Sequence, residues 1–296
     1  MQTVTHRLVA SAARCGLASW GMAADAERKY IRYEVDERVG VITLARPEKA
    51  NAQNEVFLDE LDACFDLAAS SRDVRVIVLR AEGKHFSAGH DLKVDDEQPK
   101  LANDDGSWWL SELYDWECRK YLGFGLKWRN IPKPTIAAVQ GKCIAGALNL
   151  IWPMDLIIAA DNATFSDPVV ALGACGVEYH GHTWEFGARK AKEMLFTGRA
   201  MTAQEAEQIG MVNRVVPLEE LWPNAMALAH EISHFHPFAL RQAKRAVNQT
   251  LDVMGQHAAL QSAFDIHHTT HGNAISVSGY PVLASLDDMK GRLKDQ

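Results

Sequence analysis

The chain reads as an α/β protein, and three observations carry that reading. Continuous apolar runs such as VRVIVLRAEG and TIAAVQG have the composition of strands covered on both faces. Amphipathic helical stretches alternate with them, as repeated right-handed crossovers require. Beyond about residue 237 the pattern turns wholly helical.

The elements follow in order. IRYEVDERVGVITLARP predicts two strands joined by a turn between Asp36 and Gly40. NEVFLDELDACFDLAAS predicts a helix with Val56, Leu58, Leu61, Phe65 and Leu67 on one face. Strands are expected in VRVIVLRAEG, TIAAVQG and DLIIAADNATFS. Between Lys93 and Lys133 an aromatic-rich insertion places Trp109, Leu113 and Trp116 at i, i+4 and i+7, a helical stripe that suits either a core contact or a pocket wall. Three C-terminal helices are expected in PFALRQAKRAVNQTLDVM, HAALQSAFDIHHTTHG and LASLDDMKGRL. An apolar helical appendage of this kind often serves subunit contacts.

Composition excludes several functions. The net charge is −7 over 296 residues, with no sustained basic run, so nucleic acid is not an expected partner. No run reaches the roughly 18 apolar residues of a membrane span, and a cytoplasmic location is expected. Cys15, Cys64, Cys118, Cys143 and Cys175 are odd in number and form no CxxC, which suggests reduced thiols. No GxGxxG follows a strand, so a dinucleotide-dependent reaction is not supported. Residues 1–28 are expected to be an N-terminal extension: disordered, a targeting segment rich in Ser, Ala and Arg, or the product of a start assigned ahead of Met22. A core over 29–236 and a C-terminal helical region over 237–296 complete the expected organisation.

Two short stretches carry the chemistry. GKHFSAGHDLK follows a buried strand and holds the small residues Ser87, Ala88 and Gly89; IAGALN follows another and holds Gly146. Strand-to-helix turns of this kind expose unsatisfied backbone N–H groups. Two such donors converging on one oxygen would make an oxyanion hole.

With RPEKANAQN (46–54), HFSAGHDLK (85–93), IPKPTIAAVQGKCIAGALNL (131–150), FSDPVVALG (165–173) and LFTGRAMTAQEAEQIGMVNRVVP (195–217), the chain resembles the crotonase superfamily, that of enoyl-CoA hydratases and isomerases, over roughly residues 30–290. The resemblance implies a spiral of ββα units with a C-terminal helical trimerisation region, a homotrimer or dimer of trimers, and an acyl-CoA thioester as ligand. Coenzyme A would be part of the substrate, with no separate cofactor. The implied hole donors are the N–H groups of His90 and Gly146. The implied coenzyme A groove is lined by Lys49, Ala50 and Asn51 and by Ala88, His90, Asp91, Leu92 and Lys93; Trp109 and Trp116 are candidate walls of the acyl pocket.

The sequence departs from the pattern at the acids. A hydratase of this superfamily uses two glutamates, and their positions here hold Asn149 and Val169. An amide holds a water but takes no proton near neutrality. The isomerases carry one acid close to Glu178, the expected general acid or base, with His182 as a candidate partner and a burial-raised pKa. Glu178 could instead pair with Arg189 or a lysine as a structural ion pair. Asp167, before Pro168, suits a turn cap, and HGH (180–182) is too tight for ordinary metal ligands, so no metal is expected. The readings left open are double-bond isomerisation, hydration, hydrolase or lyase chemistry on an acyl-CoA, and a catalytically silent acyl-CoA binding protein.

Overall fold

A computed structural model describes residues 28–92, 101–103 and 105–294. The N-terminal extension through residue 27 and Lys93 lie outside the described residues.

The strands are β1 (Ile31–Asp36), β2 (Val39–Leu44), β3 (Val76–Ala81), β4 (Thr135–Val139), β5 (Lys142–Ile144), β6 (Leu156–Ala160), β7 (Thr164–Ser166), β8 (Met201–Thr202) and β9 (Arg214–Val216). The helices are α1 (Glu55–Ser70), α2 (Leu110–Glu117), α3 (Phe124–Arg129), α4 (Leu148–Ile151), α5 (His182–Thr197), α6 (Ala203–Gln208), α7 (Leu221–Ser233), α8 (Pro237–Val253), α9 (Gln256–Ser278) and α10 (Leu286–Lys294).

The first hairpin turns at Glu37, whose φ of 52° lies in the left-handed region, and pairs β1 antiparallel to β2. From β2 onward the main sheet is parallel, in the order β1-β2-β3-β4-β6-β9. Period-two alternation divides the apolar residues between two faces. Val39, Val41, Val76 and Val78 pack on Leu221, Ala225 and Ala229 of α7, while Ile42, Leu44, Ile77 and Leu79 enter the larger core. Both faces are dry, which explains the unbroken apolar runs.

After a main-sheet strand the chain adds a short stretch to a second layer. Ser87 bridges Cys143, β5 runs parallel to β7, and β7 pairs with β8. Repetition of this step is the spiral, and it brings the turns after β3 and β5 side by side.

Helix α1 starts where Asn54 Oδ1 accepts the N–H of Phe57 at 2.9 Å, a cap that contributes about 1 kcal/mol. Its buried face is Phe57, Leu58, Leu61, Cys64, Phe65 and Ala68. Val56 and Leu67, expected on that face, are half-buried at its edges. Each large side chain buried there contributes roughly 1.5–3 kcal/mol of transfer free energy.

Helices α2 and α3 are joined through Cys118–Gly123, wound with the wider π spacing. Such a bulge re-aims side chains, and Tyr121 lies within it. The C-terminal region divides in two. Helix α8 buries no residue, whereas α9 sends Leu260 and Phe264 into the main core and buries His267, His268 and His271. The chain beyond 237 thus contributes to the main core through α9.

Candidate active site

Two backbone turns form the floor. In the first, Ser87 Oγ donates to Asn51 O at 2.7 Å and accepts the Gly89 N–H at 3.2 Å. Gly89 has φ 85°, and a Cβ there would stand 2.6 Å from Ile144 O and 3.0 Å from Gly146 N. Only glycine lets the turns approach this closely. In the second turn Ala145 takes φ 49° and Ala145–Ala147 form a single 3₁₀ turn leading into α4.

The free donors follow from this geometry. Gln53 and His90 face each other in a parallel bridge whose hydrogen bonds run from Gln53 N to Gly89 O and from Asp91 N to Gln53 O, both 2.9 Å. The N–H of His90 itself points away from that bridge. Gly146 is the second residue of a helical turn, where backbone N–H groups lack an intrahelical acceptor.

Above this floor stands Glu178, 4% exposed. Asn149 Nδ2 donates to its Oε2 at 2.7 Å, and His90 Nε2 lies 3.1 Å from the same oxygen. Asn149 Oδ1 in turn accepts the Tyr179 N–H at 3.2 Å. Both ends of the amide are thus committed to the 178–179 segment. Asn149 aims the Glu178 carboxylate.

Electrostatics correct the expected pKa. Burial pushes the Glu178 carboxyl upward, but the charge and hydrogen bond of His90 outweigh it and hold the group below the ordinary carboxylate range. Burial and the nearby carboxylate of Glu178 keep Tyr121 a neutral phenol. The His90 ring stacks on Tyr121 at 3.9 Å between centroids and lies flat over Gly146, where a Cβ would meet it at 2.4 Å. The ring as well as the backbone of His90 belongs to the site.

Other residues chosen from sequence fall elsewhere. Glu178 pairs with His90 rather than with Arg189, which is exposed. His182, fully buried, places Nε2 2.9 Å from Asp167 Oδ2 and packs edge-on against Trp152, so it faces Asp167 and not Glu178. Asp167 also accepts the N–H groups of Val169 at 3.4 Å and Val177 at 2.9 Å, which is a turn cap.

Asn51 is turned inward. Its Oδ1 accepts the Arg46 N–H at 2.9 Å, and its Nδ2 donates to the carbonyls of Glu82, His85 and Phe86. Asp91 is paired with Arg46 Nη1 at 2.7 Å. These two side chains hold the loop in place and leave Lys49, Ala88 and Leu92 exposed on it; Ala50, half-buried, accepts the Ala88 N–H. Leu92 borders a groove of about 540 Å³ shared with Leu172, Tyr280 and Leu283. Trp116 is buried, with its ring edge-on to Tyr121, while Trp109 is 58% exposed at the start of α2 and stands apart from these contacts.

Sequence reasoning missed Tyr121, Glu117 and the α9 histidines. His267 Nε2 lies 3.7 Å from Glu178 Oε1 and 3.6 Å from Glu117 Oε2, so a second polar shell stands behind the site. The available signal was HHTTH (267–271), which repeats histidine at helical i, i+4 spacing.

Known proteins share this architecture. The family model for enoyl-CoA hydratase/isomerase matches residues 34–280. A Mycobacterium tuberculosis protein named as an enoyl-CoA hydratase, EchA13, is 42% identical over 269 residues, covering 86% of this chain and 84% of its own. The crystal structure of a Mycobacterium thermoresistibile protein, also named as an enoyl-CoA hydratase, superposes with a TM-score of 0.81 at 63% identity, covering 86% of this chain and 99% of that one. The methylmalonyl-CoA decarboxylase of Escherichia coli is 35% identical over 239 residues, 79% of this chain and 85% of its own.

Proposed function

Because the chain belongs to the enoyl-CoA hydratase/isomerase family, we propose that it forms an enolate from an acyl-CoA thioester, with the N–H groups of His90 and Gly146 binding the thioester oxygen and Glu178 moving the α-proton. The observation that carries this reading is the Glu178 carboxylate, buried and aimed by Asn149 and His90 beside the Gly89–Gly146 contact.

The chemistry favours double-bond isomerisation. Hydration needs one group to activate water and another to deliver a proton, and Val169 supplies neither. An isomerase needs one carboxylate, which takes a proton from the α-carbon of the 3-enoyl thioester, leaving a dienolate, and returns it to the γ-carbon to give the 2-enoyl thioester. A carboxyl held at low pKa is a weak base but returns its proton readily. The hole must therefore supply much of the stabilisation, and each donor in such a site is worth about 2.7–4 kcal/mol. The exposed Lys49, Ala88 and Leu92 of the 49–50 and 88–92 segments would carry the coenzyme A moiety, leading to the groove beside Leu92. The E. coli relative is named for decarboxylation, so a lyase reaction through the same enolate is the second reading.

The test is turnover of 3-enoyl-CoA and 2-enoyl-CoA together with deuterium exchange at the α-carbon, by wild type and by Glu178→Gln. Isomerisation and exchange are expected in the wild type and should fall by ~10²–10⁴ in the variant, with thioester binding retained. Binding without any exchange in the wild type would overturn the proposal and leave an acyl-CoA binding protein.

A further inference from the structure

We infer that Glu117, His267 and His271, with His268 beside them, form a binding site for a first-row divalent transition-metal ion of the zinc type, buried between α2 and α9.

The donors converge. His267 and His271 are one helical turn apart on α9, and Glu117 ends α2 opposite them. One ligand atom from each of the three lies within 4.8 Å of the others. Around Glu117 Oε2 stand His268 Nε2 at 3.1 Å, His267 Nε2 at 3.6 Å and His271 Nε2 at 3.8 Å. Ligands about 2.0–2.1 Å from a tetrahedral ion are about 3.3 Å apart, within a few tenths of an ångström of the distances to Glu117 Oε2, and the widest pair of the three, within 4.8 Å, would close by up to about 1.5 Å. All four residues are more than nine-tenths buried.

The outer nitrogens fix the chemistry of the inner ones. His267 Nδ1 lies 2.7 Å from Gly176 O, His271 Nδ1 2.7 Å from Pro281 O, and His268 Nδ1 3.2 Å from Phe264 O. A carbonyl only accepts, so each Nδ1 carries a proton, and the tautomer with Nε2 unprotonated turns that lone pair inward. That is the outer-shell pattern that orients metal-binding imidazoles. None of the three Nε2 atoms, nor Glu117 Oε2, makes a hydrogen bond.

Protons answer this crowding poorly. Satisfying the carboxylate oxygen from all three rings would require three buried imidazolium ions facing the carboxylates of Glu117 and Glu178. One divalent ion satisfies the same lone pairs at once. Two imidazoles and a carboxylate are a donor set for zinc or ferrous iron rather than for magnesium or calcium. The inference reverses the expectation of a metal-free protein drawn from HGH at 180–182, and it concerns different histidines. The ion would tie α9 to α2 and stand behind Glu178.

Metal binding is read without substrate, so its failure is distinct from failure of the proposed reaction. The full-length protein is stripped with a chelator and titrated with Zn²⁺ or Co²⁺, following metal content, the visible ligand-field spectrum of Co²⁺ and the melting temperature. One equivalent should bind, give low-symmetry Co²⁺ bands and raise the Tm. His271→Ala and Glu117→Gln should weaken binding by about 100-fold or more, beyond the 10–100-fold loss typical of an outer-shell partner, and make the Tm insensitive to metal. If either variant does not fold, the wild-type titration decides. A wild type with no Co²⁺ bands and no metal-dependent Tm overturns the site, as does a folded His271→Ala that binds as tightly as the wild type.

Discussion

Asn149 and Glu178 make sense only together. A glutamate at 149 would place a second carboxylate beside Glu178, and two carboxylates that close cannot both ionise. The amide supplies a donor instead, and Glu178 stays charged. Glu185, seven residues on, shows the opposite case. Half-buried beside Trp152 and Tyr179, it is pushed up by desolvation to a pKa of about 7. The folded state then holds a proton that the unfolded chain has released, so stability falls as pH rises from about 4.5 to 7, and the penalty is complete above that. Glu185→Gln should therefore stabilise the protein at pH 8, by about 1–2 kcal/mol after allowance for solvent screening. The gain should vanish near pH 4.5, and melting curves at the two pH values test it. An equal shift at both would mean that the carboxyl is not titrating in the fold.

At the scale of elements, helix α3 is built around an absence. Alanine is normally about 1 kcal/mol better than glycine inside a helix. At Gly125, however, a Cβ would stand 2.6 Å from the ring of Tyr179, the neighbour of Glu178. Gly125→Ala should destabilise the fold by about 1–3 kcal/mol and lower turnover through Glu178. A rise in Tm would show that the Tyr179 ring yields freely. The same helices mark the limit of what the sequence made legible. Strands covered on both faces announce themselves by composition, and the turns at Gly89 and Gly146 follow from small residues after such strands. Glu117 and Tyr121 are far in sequence from His267 and from Glu178, and a π turn aims Tyr121. No local periodicity places them beside Glu178. Asn51 and Asp91 misled for a related reason: a short polar side chain in a binding loop serves either the ligand or the loop, and here both hold the loop.

For the molecule as a whole, the outward surface of the last two long helices is the unfinished part. Helix α8 buries nothing, and Phe238, Val247, Val253, Met254, Ile266 and Val277 are exposed along α8 and α9. Val253, at the end of α8, is 90% exposed. Apolar surface on this scale exceeds what single scattered residues explain, and covering it with a second copy would stabilise each side chain by roughly 1.5–3 kcal/mol. The expected assembly is a trimer or a dimer of trimers, the closed symmetric forms implied by the family resemblance. Light scattering on the eluting protein should give three or six times the chain mass. Val253→Asp with Met254→Glu should lower that mass while circular dichroism stays native, because neither residue supports the core. If the assembly closes over α8, which packs against α9, the dissociated variant should lose activity along with mass. A variant that is monomeric and fully active would place assembly outside the chemistry, and a monomeric wild type would refute the oligomer itself.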